Sequence, residues 1–202
     1  MSDEQPLACF QPFIDTATGR IAGVEALGRL RRSDGQLRSV GPLFSDPRIP
    51  SDELLQLDRT LREQALRKFR EAPEDWFLSL NISPRWVSEL QPGQPLPSLM
   101  QLEQQGIDPQ RVVFEITELG GDRERLAMVT RHYRDAGARI AIDDFGAGHG
   151  EMKLLCDFPL DYLKIDRHFI SGVDHLPRKQ HLVRNIVNIA HVLGVRAVSY
   201  TH

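Results

Sequence analysis

RVVFEITELGGDRERLAMVTRHYRDAGARIAIDDFG, residues Arg111–Gly146, reads as a strand, a helix and a second strand in succession. The apolar run Arg111–Thr117 predicts an extended segment, Arg123–Ala136 a helix, and Gly137 marks where that helix turns back. Arg139–Ile142 is the next apolar run, and two strands joined by a helix of this length form a right-handed βαβ unit with a parallel pair. Both strands end on carboxylates: Glu115 and Glu118 on the first, Asp143 and Asp144 on the second.

The same alternation extends to either side. Toward the N-terminus lie a helix near Leu96–Gln105 closed by Gly106, a strand at Trp76–Ile82, and a helix with Leu54, Leu57, Leu61, Ala65 and Phe69 along one face. Ser51 or Asp52 is the expected cap of that helix. Segment Asp34–Asp52, rich in Gly, Pro, Ser and Asp, reads as a surface loop. Before it, Ala8–Ile14 and Ile21–Arg29 form a hairpin around Asp15–Gly19, with glycine supplying the positive-φ position. Toward the C-terminus come a short helix near Glu151–Cys156, a strand at Tyr162–Ile165, a helix at Arg178–Leu193 closed by Gly194, and a strand at Val195–Val198. The sum is seven strands, one antiparallel hairpin arm and six that can run parallel, one short of a closed eight-stranded barrel. No linker, internal repeat or low-complexity tract divides residues 1–202, so a single domain is expected.

Composition narrows the function classes. With 41% hydrophobic and 26% charged residues and a net charge of −3, the chain has no broad basic surface to bind duplex DNA or an anionic membrane. Cys9 and Cys156 are too few for a disulfide scaffold and point to a reduced compartment, hence a cytoplasmic location. No apolar run reaches transmembrane length, and the start MSDEQPLACF has no secretory pattern. Cys156, beside Leu154, Leu155 and Phe158, reads as a core residue.

Polar groups recur at the strand ends. Glu25, Asn81, Glu115, Asp143, Asp144, Lys164 and Asp166 all lie at or just past the end of an apolar run, and in a β/α barrel that end is the active-site mouth. So many carboxylates raise one another's pKa and are costly to bury bare. Divalent cations resolve the conflict, and an oxygen-rich set with an amide and no thiolate suits Mg²⁺ or Mn²⁺. A glycine-rich loop, Asp144-Phe-Gly-Ala-Gly-His-Gly150, follows the acidic pair and permits close backbone approach to a ligand. Its His149 is a ligand candidate or a plain loop histidine. A protein-kinase reading of Asp144-Phe-Gly146 lacks the phosphate loop and catalytic-loop motif that should precede it. A carboxylate-pair glycosidase fits Asn81, Lys164 and the adjacent aspartates poorly.

Taken in order, Gln11-Pro12, Glu25-Ala-Leu-Gly-Arg29, Asn81-Ile-Ser83, Glu115-Ile-Thr-Glu118, Asp143-Asp-Phe-Gly146 and Leu163-Lys-Ile-Asp166 make the chain resemble the EAL-domain cyclic di-GMP phosphodiesterases from about Phe10 to Val198. The resemblance implies an α/β fold, a TIM-like barrel with an antiparallel first strand. It implies metal ligation by Glu25, Asn81, Glu115 and Asp143, with Asp144 at a second ion. Lys164 and Glu118 are then the catalytic residues, Lys164 orienting or activating water and Glu118 holding the glycine loop. Gln11, Leu27, Arg29 and Asp166 would contact the substrate, Arg29 through a phosphate. Mg²⁺ or Mn²⁺ would be the cofactor, two ions per site, and the product the linear dinucleotide. A homodimer through the barrel face is compatible with the family, and the alternative to the enzyme is a receptor that binds cyclic di-GMP with little or no turnover, or a non-functional fragment. After Val198 the family pattern continues Ala-Glu-Gly-Val-Glu and then a further strand and helix, whereas this sequence reads Ser199-Tyr-Thr-His202. The expectation is therefore a domain lacking its last strand and helices, through fragmentation or a frame shift. The strands Ala8–Ile14 and Val195–Val198 would be left as open edges prone to association.

Overall fold

The computed structural model describes residues 4–83, 86, 87, 90, 93–116, 123–146 and 151–199. Strands β1 (Gln5–Ile14) and β2 (Ile21–Arg31) form the antiparallel hairpin. Asp15 organises its turn, its Oδ1 accepting from the backbone N–H groups of Ala17 (3.0 Å) and Thr18 (2.8 Å), and Gly19 takes φ +69°. Strand β3 (Leu37–Ser39) and helices α1 (Gly41–Phe44) and α2 (Ser51–Phe69) follow. Next come β4 (Phe77–Asn81), α3 (Pro97–Gln105), β5 (Val112–Ile116), α4 (Arg123–Asp135) and β6 (Arg139–Phe145). The chain continues with α5 (Glu151–Asp157), β7 (Tyr162–Ile165), α6 (Arg167–Ile170), α7 (Pro177–Val192) and β8 (Arg196–Ser199).

All eight strands belong to one sheet in the order β1-β2-β4-β5-β6-β7-β8, with β3 attached to β2. From β2 to β8 every neighbouring pair on this path is parallel; β1 and β3 pair antiparallel with β2. The sheet is strongly curled. Lys164 on β7 approaches Glu25 on β2 to 3.1 Å, although four strand spacings separate them along the sheet. In a flat sheet that separation would be roughly 19 Å. Among the described residues no ladder joins β8 to β1, so the curl stops short of closure.

The alternation of each strand sorts its residues between two environments. Leu78, Leu80, Phe114, Ile116, Ile140, Ile142, Leu163 and Ile165 point outward and join the main core beneath the helices. All five residues of the expected α2 face, Leu54, Leu57, Leu61, Ala65 and Phe69, are buried. The inward row changes character along the barrel axis. At the strand starts it is apolar, with Val113, Ala141 and Tyr162 packed against Phe77 and Val198. At the strand ends it becomes ionisable. A sheet curled over an apolar floor thus lifts its charged residues to the C-terminal mouth.

Three expectations change. Asp34–Asp52 is not a plain loop, because β2 runs on to Arg31 and a tight turn at Arg32–Gln36, with Gly35 at φ +84°, returns the chain as β3. Helix α2 is preceded by Pro50, with no side-chain cap from Ser51 or Asp52; both residues fall inside the first turn, where Asp52 and Glu53 face the positive end of the helix dipole. Cys156 is exposed on α5, while Leu154, Leu155 and Phe158 turn into the core. The outer edge of β1 pairs with no strand among the described residues, as expected, and only its start is covered. Gln64 of α2 accepts from Ala8 N–H (3.1 Å) and donates to Pro6 C=O (3.1 Å), and Lys68 donates to Ala8 C=O (2.9 Å).

Candidate active site

Glu25, Glu115, Asp143 and Lys164 come from β2, β5, β6 and β7 and meet inside the mouth. Each is an inward-facing residue late in its strand, so the curl brings the four together. All are buried, with exposures of 3%, 0%, 8% and 3%. The Lys164 ammonium lies 3.1 Å from Glu25 Oε2, 2.5 Å from Glu115 Oε2 and 3.0 Å from Asp143 Oδ1. The second oxygen of Glu115 accepts from the Ser79 hydroxyl, and Asn81 Nδ2 donates to Glu25 Oε1 at 3.1 Å.

Among the described residues, the three carboxylates converge on one ammonium. Burial is the main force pushing Glu115 up to about 8; the Glu25 and Asp143 charges add to it and Lys164 opposes it. Asp144 is pushed up to about 6, again first by burial and then by the charges of Asp143 and Asp166.

Strict alternation would send Asp144 to the outer face of β6. It does not go there, because β6 carries a bulge: Ile142 pairs with Leu163 but Phe145 pairs with Ile165, one residue too many on β6. Asp144 absorbs the extra residue in the left-handed region at φ 52°, which aspartate tolerates better than most side chains. Both aspartates consequently line one cavity of about 450 Å³ together with Glu25, Leu27, Arg29 and Asn81. Arg29 Nη1 is held by the carbonyl of Gly28 at 2.9 Å. The glycine before it is sterically required: a Cβ on Gly28 would lie 2.5 Å from Val40 Cγ2 and 2.8 Å from Leu61 Cδ1.

The remaining candidates are more peripheral. Gln11, opposite Glu25 in the β1–β2 register, lines a second cavity of about 710 Å³ between β1 and β8 that also reaches Lys164. Asp166 caps α6, its Oδ1 accepting from His168 N–H at 2.7 Å. Glu118 and His149, with most of the glycine loop, lie outside the described residues. Ser79 was absent from the sequence-based candidates. Its signal is positional: it stands two residues before Asn81 on the same strand and so shares its face.

The donor set suits a hard divalent ion. Glu25, Glu115 and Asp143 each offer one oxygen, and these atoms lie within 4.8 Å of one another. They are oxygen donors and all three are buried. No described helix is long and apolar enough to cross a membrane.

Comparison with known proteins places these features in context. A family model for the EAL domain matches residues 2–199. The EAL-domain containing protein YkuI of Bacillus subtilis (strain 168) is 31% identical over 191 residues, which cover 93% of this chain and 46% of YkuI. The crystal structure of YkuI in complex with its substrate c-di-GMP and calcium matches with a TM-score of 0.83 at 29% identity, over 96% of this chain and 48% of that one. Cyclic di-GMP phosphodiesterase PA2567 of Pseudomonas aeruginosa is 31% identical over 200 residues, covering 94% of this chain and 33% of that protein. The manganese and cyclic di-GMP complex of BlrP1 from Klebsiella pneumoniae matches with a TM-score of 0.79 at 25% identity, over 96% of this chain and 48% of that one. The chain thus spans between a third and a half of the length of these relatives.

Proposed function

The chain belongs to the EAL domain family, and from this premise we infer that it is a metal-dependent phosphodiesterase that opens cyclic di-GMP to the linear dinucleotide pGpG. The observation that carries the reading is the convergence of Glu25, Glu115 and Asp143 on Lys164 at the mouth of the curled sheet. Named relatives that act on or bind cyclic di-GMP support the choice of substrate.

Glu25, Glu115 and Asp143, with Asn81, would hold one Mg²⁺ or Mn²⁺, and Asp144 would serve a second. When bound, the ions polarise phosphoryl oxygens and acidify water. The protein supplies the rest. Arg29 offers a planar cationic fork to a phosphate at the wall of the 450 Å³ cavity. Leu27 gives that wall an apolar surface and Gln11 lines the second cavity that reaches Lys164, while Asp166, whose charge acts on Asp144, would be a further substrate contact. Lys164, fixed by three carboxylates, orients the attacking water opposite the leaving 3′-oxygen. Water oxygen bonds to phosphorus, the bond from phosphorus to the 3′-oxygen breaks, and that oxygen takes up a proton. The product carries a free 3′-hydroxyl and a 5′-phosphate. Residues 1–202 act as one EAL unit in this reading.

The direct test is incubation with cyclic di-GMP and Mn²⁺, followed by chromatography for the linear product. Turnover abolished by EDTA and by Asp143→Asn is the expected result. Binding without linear product would make the chain a receptor, and turnover that survives strong chelation would remove the metal-dependent mechanism.

A further inference from the structure

Ser79 is 1% exposed and lies on the inner face of β4, beside Val113 in the β4–β5 register. A hydroxyl buried among Phe77, Val113, Ala141 and Tyr162 is costly unless it is hydrogen-bonded. Its partner is Glu115 Oε1. The other oxygen of Glu115, Oε2, meets the Lys164 ammonium, which also touches Glu25 and Asp143. The carboxylate is therefore clamped at both ends, with Oε1 anchored to the barrel wall and Oε2 turned into the acidic cluster.

A free carboxylate can offer a cation either oxygen or both. Here the Ser79 hydroxyl engages Oε1. We propose that Ser79 is a positioning residue that fixes Glu115 as a one-oxygen ligand, presenting Oε2 to the cation; this role rests on the metal-dependent reading above. Without the hydroxyl, Glu115 could rotate about its terminal torsion, and Oε1 would be left buried without a donor. Both effects weaken a cation site while leaving the substrate contacts of the 450 Å³ cavity intact, because Ser79 does not line that cavity. Hydrogen-bonding partners of metal ligands typically account for about 10–100-fold in affinity.

The test is calorimetric titration of Mn²⁺ into the wild-type chain, Ser79→Ala and Ser79→Thr without nucleotide, with thermal melts to confirm folding. Ser79→Ala is expected to bind Mn²⁺ about tenfold more weakly, and Ser79→Thr, which keeps a hydroxyl, to recover most of the loss. In turnover assays the Ser79→Ala defect should shrink as Mn²⁺ is raised, with KM for cyclic di-GMP unchanged. Equal Mn²⁺ affinity in wild type and Ser79→Ala would overturn the proposal. Should Ser79→Ala fail to fold, Ser79→Cys keeps the volume with a weak donor and must show the same weakening. If the wild-type chain takes up no Mn²⁺ at all, the metal-dependent reading fails and the role of Ser79 goes with it.

Discussion

Lys164 Nζ and Glu115 Oε2 stand 2.5 Å apart at the centre of the mouth, one 3% and the other 0% exposed. The contact spans β5 and β7, and the same ammonium reaches Glu25 and Asp143. Lys164 is thus the cation that makes burial of three carboxylates tolerable in the metal-free chain. Lys164→Met should destabilise that form by about 3–5 kcal/mol, the usual consequence of leaving buried charge unpaired. Saturating Mn²⁺ should restore much of the loss. Urea melts in EDTA and in Mn²⁺ measure both, and wild-type stability of the variant in EDTA would contradict this role.

The electrostatics also set a pH dependence for the metal-free chain. Glu115 titrates near 4.5 in the unfolded chain and about 8 when folded, so between these values the native state binds more protons than the unfolded state. Stability must then fall as pH rises across that window, at up to about 1.4 kcal/mol per pH unit for one proton. Asp144 acts in the same direction between 3.8 and about 6. A bound divalent ion takes the place of the proton, so the slope should flatten in saturating Mn²⁺. Metal-free melts at a series of pH values check the sign; stability rising from pH 5 to 8 would show that the cluster is fully ionised when folded.

The succession of strands and helices was legible because it depends on local pattern. Period-two alternation in Arg111–Ile116 and Arg139–Asp143 already assigns Val113 and Glu115, and Ala141 and Asp143, to one face. Curvature is a property of the whole sheet, so the 3.1 Å approach of Glu25 to Lys164 has no local signal. The bulge at Asp144 was hidden because it arises from a register mismatch with β7 rather than from the aspartate itself. Strand β3 was hidden by a composition typical of loops, and ending its partner strand at Arg29 left out Leu30 and Arg31, with which Arg38 and Leu37 pair. Ser79 was passed over because a lone serine in an apolar strand attracts attention only once Glu115 is seen opposite its hydroxyl.

Gly28 offers a steric prediction. Gly28→Ala would place a methyl group 2.5 Å from Val40 Cγ2, in a buried cluster with Leu30, Leu57 and Leu61. Overpacking of this kind costs about 1–3 kcal/mol. Val40→Ala removes the atom that is struck, so the double variant should lose less than the sum of the two single ones. Denaturant midpoints of the four proteins form the cycle, and strict additivity would mean that the strain is relieved elsewhere.

The outer edge of β1 gives the last prediction. Proline at positions 6 and 12 removes two donors from this strand, and α2 occupies much of what remains at its start through Gln64 and Lys68. Three hydrogen bonds are involved, each with a net contribution of about 0.5–1.5 kcal/mol. Gln64→Ala with Lys68→Ala should therefore lower stability modestly, but its larger effect should be on association. The freed Pro6 and Ala8 carbonyls and the Ala8 N–H become available to a strand from another molecule. Sedimentation velocity across a concentration series should show the double variant associating at lower concentration than the unsubstituted chain. Identical profiles would mean that the helix side chains merely satisfy the edge and that access to it is blocked by other groups.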